Sequence, residues 1–241
     1  MEAKTDTSLV LDGRNLTIQD ISNLVSDTST TVSLSEVALK RVRAANKFLL
    51  AESQERIIYG VNTGFGPMVS HLIGKNHLAD LQVNLIRSHA TGMGEPIDPE
   101  FSLASMIVRL NTLLQGFSGV SEKLLEQLVT FINYRLLPII PEHGAVGTSG
   151  DLVQLAHIAL ALIGEGEVLY KGERQATGSL LRRLKISPYH LQPKEGLALI
   201  NGTAVMTGIA ALTFKRAQLA LAVACRSGAW ALELANAFSD S

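Results

Sequence analysis

The sequence predicts a mainly α-helical protein with minor β-structure. Three features carry that expectation. Apolar residues make up 46% of the 241-residue chain and aromatic residues only 5%, a balance rich in Ala and Leu that suits packed helices. Several tracts repeat apolar residues at helical spacing, most clearly Leu124, Leu128, Ile132 and Leu136. From Thr203 onward the chain is apolar nearly all round, apart from Lys215, Arg216 and Gln218. Such a helix belongs inside a bundle or at an oligomer interface.

The elements follow in order. Residues 8–18 read as a short strand, a turn at Asp12-Gly13 and a second strand. Ser33-Leu-Ser-Glu36 has the pattern of a capping box and opens a helix to about Leu50, with Val37, Val42 and Leu49 among its apolar positions. Arg56-Ile-Ile-Tyr59 reads as extended and leads into a Gly-rich loop, 60–66. Asn76 is placed to cap a helix from His77 to Thr91, with Leu78, Leu81, Leu85 and His89 on one face. Further helices are expected over Phe101–Gln115, ended by Gly116, and over Ser121–Leu136, stopped by Pro138. Asp151–Ile163 is a helix ended by Gly164, and Glu167–Ala176 a hairpin turning at Lys171-Gly172. Residues 177–195 contain Pro188 and Pro193 and read mostly as connection. Asn201 is placed to cap the last, long apolar helix.

Charge and cysteine usage exclude several classes. With 21 basic and 22 acidic residues the chain has no nucleic-acid footprint and no polybasic membrane patch. Its one cysteine, Cys225, lies in an apolar helical stretch and reads as a small core residue rather than a catalytic thiol. A disulfide framework or a Cys-based zinc site is ruled out. His143 and His157 belong to no metal-ligand set, so no metal is expected. The N-terminus lacks an apolar signal-type region, and Asn201, Thr203, Thr207, Lys215, Arg216 and Gln218 interrupt the most apolar tract, about 197–225. The expectation is a cytoplasmic protein without membrane or nucleic-acid partners. Gly60–Gly66 is glycine-rich like a phosphate loop, but no Lys-Ser/Thr follows, so nucleotide binding is rejected.

The most informative stretch is Gly147-Thr-Ser-Gly-Asp151. Read alone, Ser and Asp before an apolar run are ordinary helix caps. The same residues can also make an electrophile. If the nitrogen of Gly150 reaches the carbonyl carbon of Thr148, a five-membered ring closes. Loss of water there, and of the Ser149 hydroxyl as a second water, leaves a methylidene-imidazolone. Gly150 has no Cβ to block the bend, and Ser149 carries the hydroxyl that is eliminated. The side chain of Thr148 hangs from the ring without taking part.

Four segments decide between these readings: Tyr59-Gly-Val-Asn-Thr-Gly-Phe-Gly66, Asn84-Leu-Ile-Arg-Ser-His-Ala-Thr-Gly92, Gly144-Ala-Val-Gly-Thr-Ser-Gly-Asp-Leu152 and Glu195-Gly-Leu-Ala-Leu-Ile-Asn-Gly-Thr203. In content and order they resemble the catalytic tyrosine loop, the substrate-side-chain segment, the prosthetic-group motif and the substrate-asparagine segment of the histidine and aromatic amino-acid ammonia-lyase family. The resemblance extends over roughly residues 8–241. Two departures stand out. Position 148 is Thr where Ala is usual, a replacement found in some aminomutases. The chain also stops at Ser241, about half the usual family length.

The resemblance implies an ammonia-lyase/fumarase-like fold. An N-terminal α+β domain with short hairpins, 1–195, would be followed at 196–241 by the first helices of a truncated central bundle. It implies a 4-methylidene-imidazol-5-one (MIO) group formed autocatalytically from Thr148-Ser149-Gly150, with no external cofactor. Tyr59 would be the base that removes the substrate's β-proton, a task for a phenol of reference pKa about 10 once ionised. His89 and Asn201 would bind substrate, while Gly66 and Asp151 would support the loops around them. The substrate would be an aromatic L-amino acid. Asp151–Leu155 and Gly164–Arg174 resemble the tyrosine-type bacterial lyases, so tyrosine is favoured over histidine and phenylalanine. An aminomutase on the same ring, and an inactive half serving as an assembly partner, are the alternatives. Intact family members are tetramers in which the second half supplies further site residues, so a homo-oligomer is expected. No arginine of this chain is assigned to the substrate carboxylate.

Overall fold

The computed structural model describes residues 8–66, 69–70, 74, 77–147 and 150–237. Strand β1 (Ser8–Leu11) is followed by helix α1 (Ile18–Ser26), strand β2 (Thr31–Leu34) and helix α2 (Glu36–Glu55). The chain continues through α3 (Leu78–His89), β3 (Met93–Pro96), α4 (Pro99–Leu113), α5 (Glu122–Asn133), β4 (Leu137–Pro138) and β5 (Pro141–His143). It closes with α6 (Leu152–Leu162), β6 (Glu167–Tyr170), β7 (Glu173–Ala176), α7 (Thr177–Leu184), α8 (Glu195–Ile200) and α9 (Ala204–Leu234). The mainly helical class is as the sequence predicts.

Several local expectations are corrected. The second strand near residues 15–18 is absent: Thr17 and Asp20 form a reciprocal capping box that starts α1 instead. β1 therefore finds its partner across that helix and pairs with β2 in parallel, Leu9 opposite Val32, so the N-terminal hairpin is a parallel ladder. The box read at Ser33–Glu36 does not form. Ser33 lies in β2, where its hydroxyl bonds Ser8, and the N-cap of α2 is Ser35 with no side-chain cap bond. Helix α2 runs past Leu50 to Glu55. Val37, placed among its apolar positions, is exposed, while Val42 is buried. Asn76, the proposed cap of α3, lies outside the described residues; the N-cap there is His77. Residues 177–195 open with the eight-residue helix α7, and 185–194 are the connection the sequence suggested.

Other expectations hold. Leu124, Leu128, Ile132 and Leu136 are all buried, although Leu136 sits just past the end of α5. The hairpin β6–β7 turns at Lys171 and Gly172, both with positive φ, and β4 adds to its β6 edge. One hydrophobic core runs from Leu11 through α4, α5 and α6 to Leu199 and Leu212. Helix α4 is its centre. Leu103, Met106, Ile107, Leu110 and Leu113 are all nearly or wholly inaccessible, so each contributes about 1.5–3 kcal/mol of burial.

The tract Glu195–Leu234 is long and apolar enough, by length and composition, to cross a membrane, with a mean hydropathy of 1.7. Of its most apolar 18 residues 44% are buried inside the protein, and Cys225 on α9, read from the sequence as a core residue, is exposed.

Candidate active site

The tyrosine loop starts where α2 ends. Asn62 folds it back: its side chain accepts from Ile58 N at 2.7 Å and donates to Arg56 O at 2.7 Å and Ser53 O at 3.2 Å. Gly60 and Gly66 take positive φ, the conformation glycine adopts without penalty. At Gly60 there is also no room for more, because a Cβ would fall 2.4 Å from a methyl of Leu197 on α8. The Tyr59 hydroxyl accepts from Gly66 N at 3.2 Å, so the loop is closed by its own phenol. The ring of Tyr59 packs edge-on against Phe65 and is 48% exposed.

Tyr59 lines a cleft of about 550 Å³ with Arg109, Lys194, Asn201, Gly202 and Thr207, among others. Asn201 is not the helix cap the sequence suggested. It ends α8, and Thr203 is the N-cap residue of α9. Its side-chain amide is exposed and makes no hydrogen bond among the described residues. Its backbone carbonyl is held by Arg109 Nη2 at 2.8 Å, and the same nitrogen also donates to Ala198 O. Arg109 rises from the apolar helix α4 and is 3% exposed. Burial lowers its pKa to about 10, and the charge of Asp151 works against that shift.

Gly150 and Asp151 meet this cleft through Gly202. Asp151 N donates to Gly202 O at 2.7 Å. Gly150 is buried with φ +101, and a Cβ there would fall 2.2 Å from the same carbonyl oxygen, so only glycine fits. Thr148 and Ser149 lie outside the described residues. Asp151 occupies the N-cap position of α6, yet its side chain does not cap that helix. Its carboxylate accepts from Met206 N at 2.9 Å, in the first turn of α9. A negative charge there stabilises a helix N-terminus, so Asp151 joins the motif to α9.

His89 is not among the residues that line this cleft. It closes α3, half-buried, with Nδ1 2.8 Å from Leu85 O and 3.1 Å from Ser88 Oγ. Bonding to a carbonyl puts the proton on Nδ1 and leaves Nε2 as the acceptor. His157 reads as a core histidine: burial lowers its pKa, and its Nε2 accepts from Gly92 N at 3.3 Å. Among the described residues no cluster of three or more His, Cys, Asp or Glu could hold a metal ion.

Among the buried polar residues that escaped the sequence reading, three stand near the cleft or the helices that frame it. Besides Arg109 they are Gln82, between α3 and α8, and Glu195, whose carboxylate accepts from Ser121 N, Gln192 N and Tyr189. Burial and the neighbouring carboxylate raise the pKa of Tyr189. Each is a polar residue within or beside an apolar run, the one signal that could have drawn attention to it.

Residues 16–241 match the family model described as aromatic amino acid lyase. The chain belongs to that family. It is 49% identical to a histidine ammonia-lyase of Macrococcus caseolyticus over 88% of this chain and 42% of that protein. A histidine ammonia-lyase of Staphylococcus aureus is 47% identical over the same shares. Among solved structures, a tyrosine aminomutase from Streptomyces globisporus superposes with a TM-score of 0.82 at 38% identity, covering 88% of this chain and 40% of that one. Histidine ammonia-lyase from Trypanosoma cruzi gives 0.82 at 36%, covering 88% and 41%. The chain thus spans less than half the length of the relatives it matches.

Proposed function

We propose that this chain carries the ring-forming and base-bearing part of an ammonia-lyase acting on an aromatic or imidazole L-amino acid. One observation carries the reading. Gly202, next to Asn201 on the tyrosine cleft, is the residue against which Gly150 and Asp151 of the ring motif are packed. Segments far apart in sequence, which family resemblance ties to one reaction, thus meet at one backbone carbonyl.

The residues present fit an MIO group. Gly150 sits where no side chain is tolerated, as a ring nitrogen donor requires, and Asp151 fixes the backbone that follows it. Thr148, Ser149 and Gly150 would hold the group, which supplies an electrophile that side chains lack. Tyr59 is the base for the substrate's β-proton. Its exposure to the cleft, with an oxygen that accepts a hydrogen bond from Gly66 N, suits a group that must take a proton from the substrate. Asn201 offers an unpaired amide to the substrate, and Arg109 fixes its backbone from below. His89 does not line this cleft, so its candidacy as reader of the substrate side chain rests on the resemblance of its segment alone.

Histidine is the first substrate to test, because the relatives at 47–49% identity are histidine ammonia-lyases. Tyrosine, which the sequence alone favoured, is the second, supported by the tyrosine aminomutase neighbour. The hairpin segment 164–174 that pointed to tyrosine contributes nothing to the cleft, so it is weak evidence for selectivity. The aminomutase neighbour also keeps 2,3-amino migration as the second reaction. The division at 195/196, a cytoplasmic location and assembly with further copies complete the proposal.

The test is intact mass and turnover. The unmutated chain is expected to show a deficit of two waters, and Ser149→Ala to lose it together with all turnover. Tyr59→Phe should keep the deficit and lose roughly 10²- to 10⁴-fold in kcat in the active assembly. Urocanate from histidine, or coumarate from tyrosine, names the substrate, while a β-amino acid product names the mutase. No mass deficit, or normal turnover in Tyr59→Phe, refutes the assignment.

A further inference from the structure

Helices α8 and α9 both lack a local side-chain cap. The first turn of a helix leaves amides with no intrahelical partner, and buried ones must be satisfied from elsewhere. In α9 the Met206 amide is taken by Asp151. In α8 the equivalent third amide, Leu197 N, is taken by Gln82 Oε1 at 3.3 Å, across from α3. Gln82 is completely buried. Its other amide atom, Nε2, donates to Gly60 O at 3.3 Å, in the turn that follows Tyr59. A single side chain therefore bridges α8 and the tyrosine loop. Among the described residues the other side-chain hydrogen bonds of 59–66 stay within the loop or reach back to its start and the end of α2.

The surrounding glycines show how closely these parts are fitted. A Cβ on Gly196 would lie 2.8 Å from Gln82 O and 3.0 Å from its Oε1. One on Gly60 would collide with Leu197, the residue whose amide Gln82 caps. The bridge needs a donor and an acceptor in one uncharged group, which a carboxamide supplies and a carboxylate does not.

We propose that Gln82 is a positioning residue: its buried carboxamide holds the Tyr59 loop against the first turn of α8 and so fixes the phenol on the cleft that Asn201 shares. The role rests on the ammonia-lyase reading for its consequence, but the tie itself is measurable without turnover. Gln82→Glu keeps the acceptor for Leu197 N and, once ionised, sets a lone pair against Gly60 O. Burial favours the neutral acid, which restores the donor, so the variant is compared at rising pH and read where its difference from the unmutated protein has levelled off. Gln82→Met keeps the volume and removes both bonds. Hydrogen exchange on the purified protein is expected to speed up in residues 59–66 for both variants, and at the Leu197 amide only for Gln82→Met. In the active assembly Gln82→Glu should lower kcat about 10- to 100-fold with KM within about two-fold, as expected when a reacting group is misplaced by about an ångström. Its two-water mass deficit should remain. Unchanged exchange in 59–66, or loosened exchange with unchanged kcat, overturns the proposal. Equal loosening of both segments in Gln82→Glu reduces the residue to a packing role and overturns it as well. An unmutated assembly without turnover counts against the lyase reading alone, because the exchange pattern still decides the tie.

Discussion

Helix α9 is two different helices joined end to end. Its first turns bury Ala204, Val205, Gly208, Ala211 and Leu212 against the core. Gly208 is the point of closest approach: a Cβ there would lie 2.8 Å from Ser105 N of α4. Arg216 ends this zone, pairing with Glu100 and lying over the ring of Phe101 at 5.2 Å. Beyond it Leu219, Leu221, Val223, Trp230, Leu232 and Leu234 are all more than half exposed. The sequence of the two halves is about equally apolar. Composition therefore sets how much surface a helix can bury, while topology decides where partners exist to bury it.

The largest expected effect lies in the exposed half. A contiguous apolar surface of that size drives association. An isolated helix of this length is also marginal in water, so residues 217–234 need a neighbour to stay helical. Light scattering on the unmutated chain should show oligomers at micromolar concentration. Leu221→Lys, Trp230→Lys and Leu232→Lys together should shift it to smaller species and lower its helicity. The unfolding free energy of the core in urea should stay within about 0.5 kcal/mol, since these side chains are mostly exposed. A monodisperse unmutated monomer would show that the exposed half is stable unaided.

The buried half breaks differently. Gly208→Ala puts a methyl group against the backbone of α4, which cannot swing aside as a side-chain tip can. Overpacking of this kind costs about 1–3 kcal/mol, more than the gain of about 1 kcal/mol from replacing a helical glycine. A lower urea midpoint is expected, and an unchanged or higher one would mean that α9 and α4 are less closely fitted than the distances imply.

The same contrast explains what the sequence could tell. Periodicity located α5, whose burial is one-sided and regular, while α4 and α6, buried nearly all round, were legible as apolar runs ended by Gly116 and Gly164. It failed at residues 15–18, where the Thr17–Asp20 cap, four residues from an Asp-Gly turn, outweighed a strand-like pattern. Of the site, Tyr59 and Asn201 were legible only as members of motifs, and the cleft they share depends on long-range packing of α8. Gln82 and Arg109 stood out only as polar residues within or beside apolar runs, which says nothing of what they bond. Their roles are to satisfy backbone groups of other elements, and no local pattern records which distant amide or carbonyl a side chain will meet. Asp151 was legible as a cap, but it caps α9 in place of its own helix.

The smallest effect isolates the comparison within one residue type. Gly228 stands in the exposed half of α9, and a Cβ added there meets nothing within 4 Å. No contact opposes Gly228→Ala, so only the backbone counts: alanine lowers the entropy lost on forming the helix and gains up to about 1 kcal/mol. The gain should show as higher helicity and slower hydrogen exchange across residues 217–234, with the core midpoint unmoved. Gly208→Ala and Gly228→Ala are chemically identical changes twenty positions apart in one helix, and opposite signs are expected. If Gly228→Ala destabilises too, the outer half of α9 has a close neighbour that only the assembled protein supplies, and comparing the variant at high and low protein concentration would separate that contact from the helix itself.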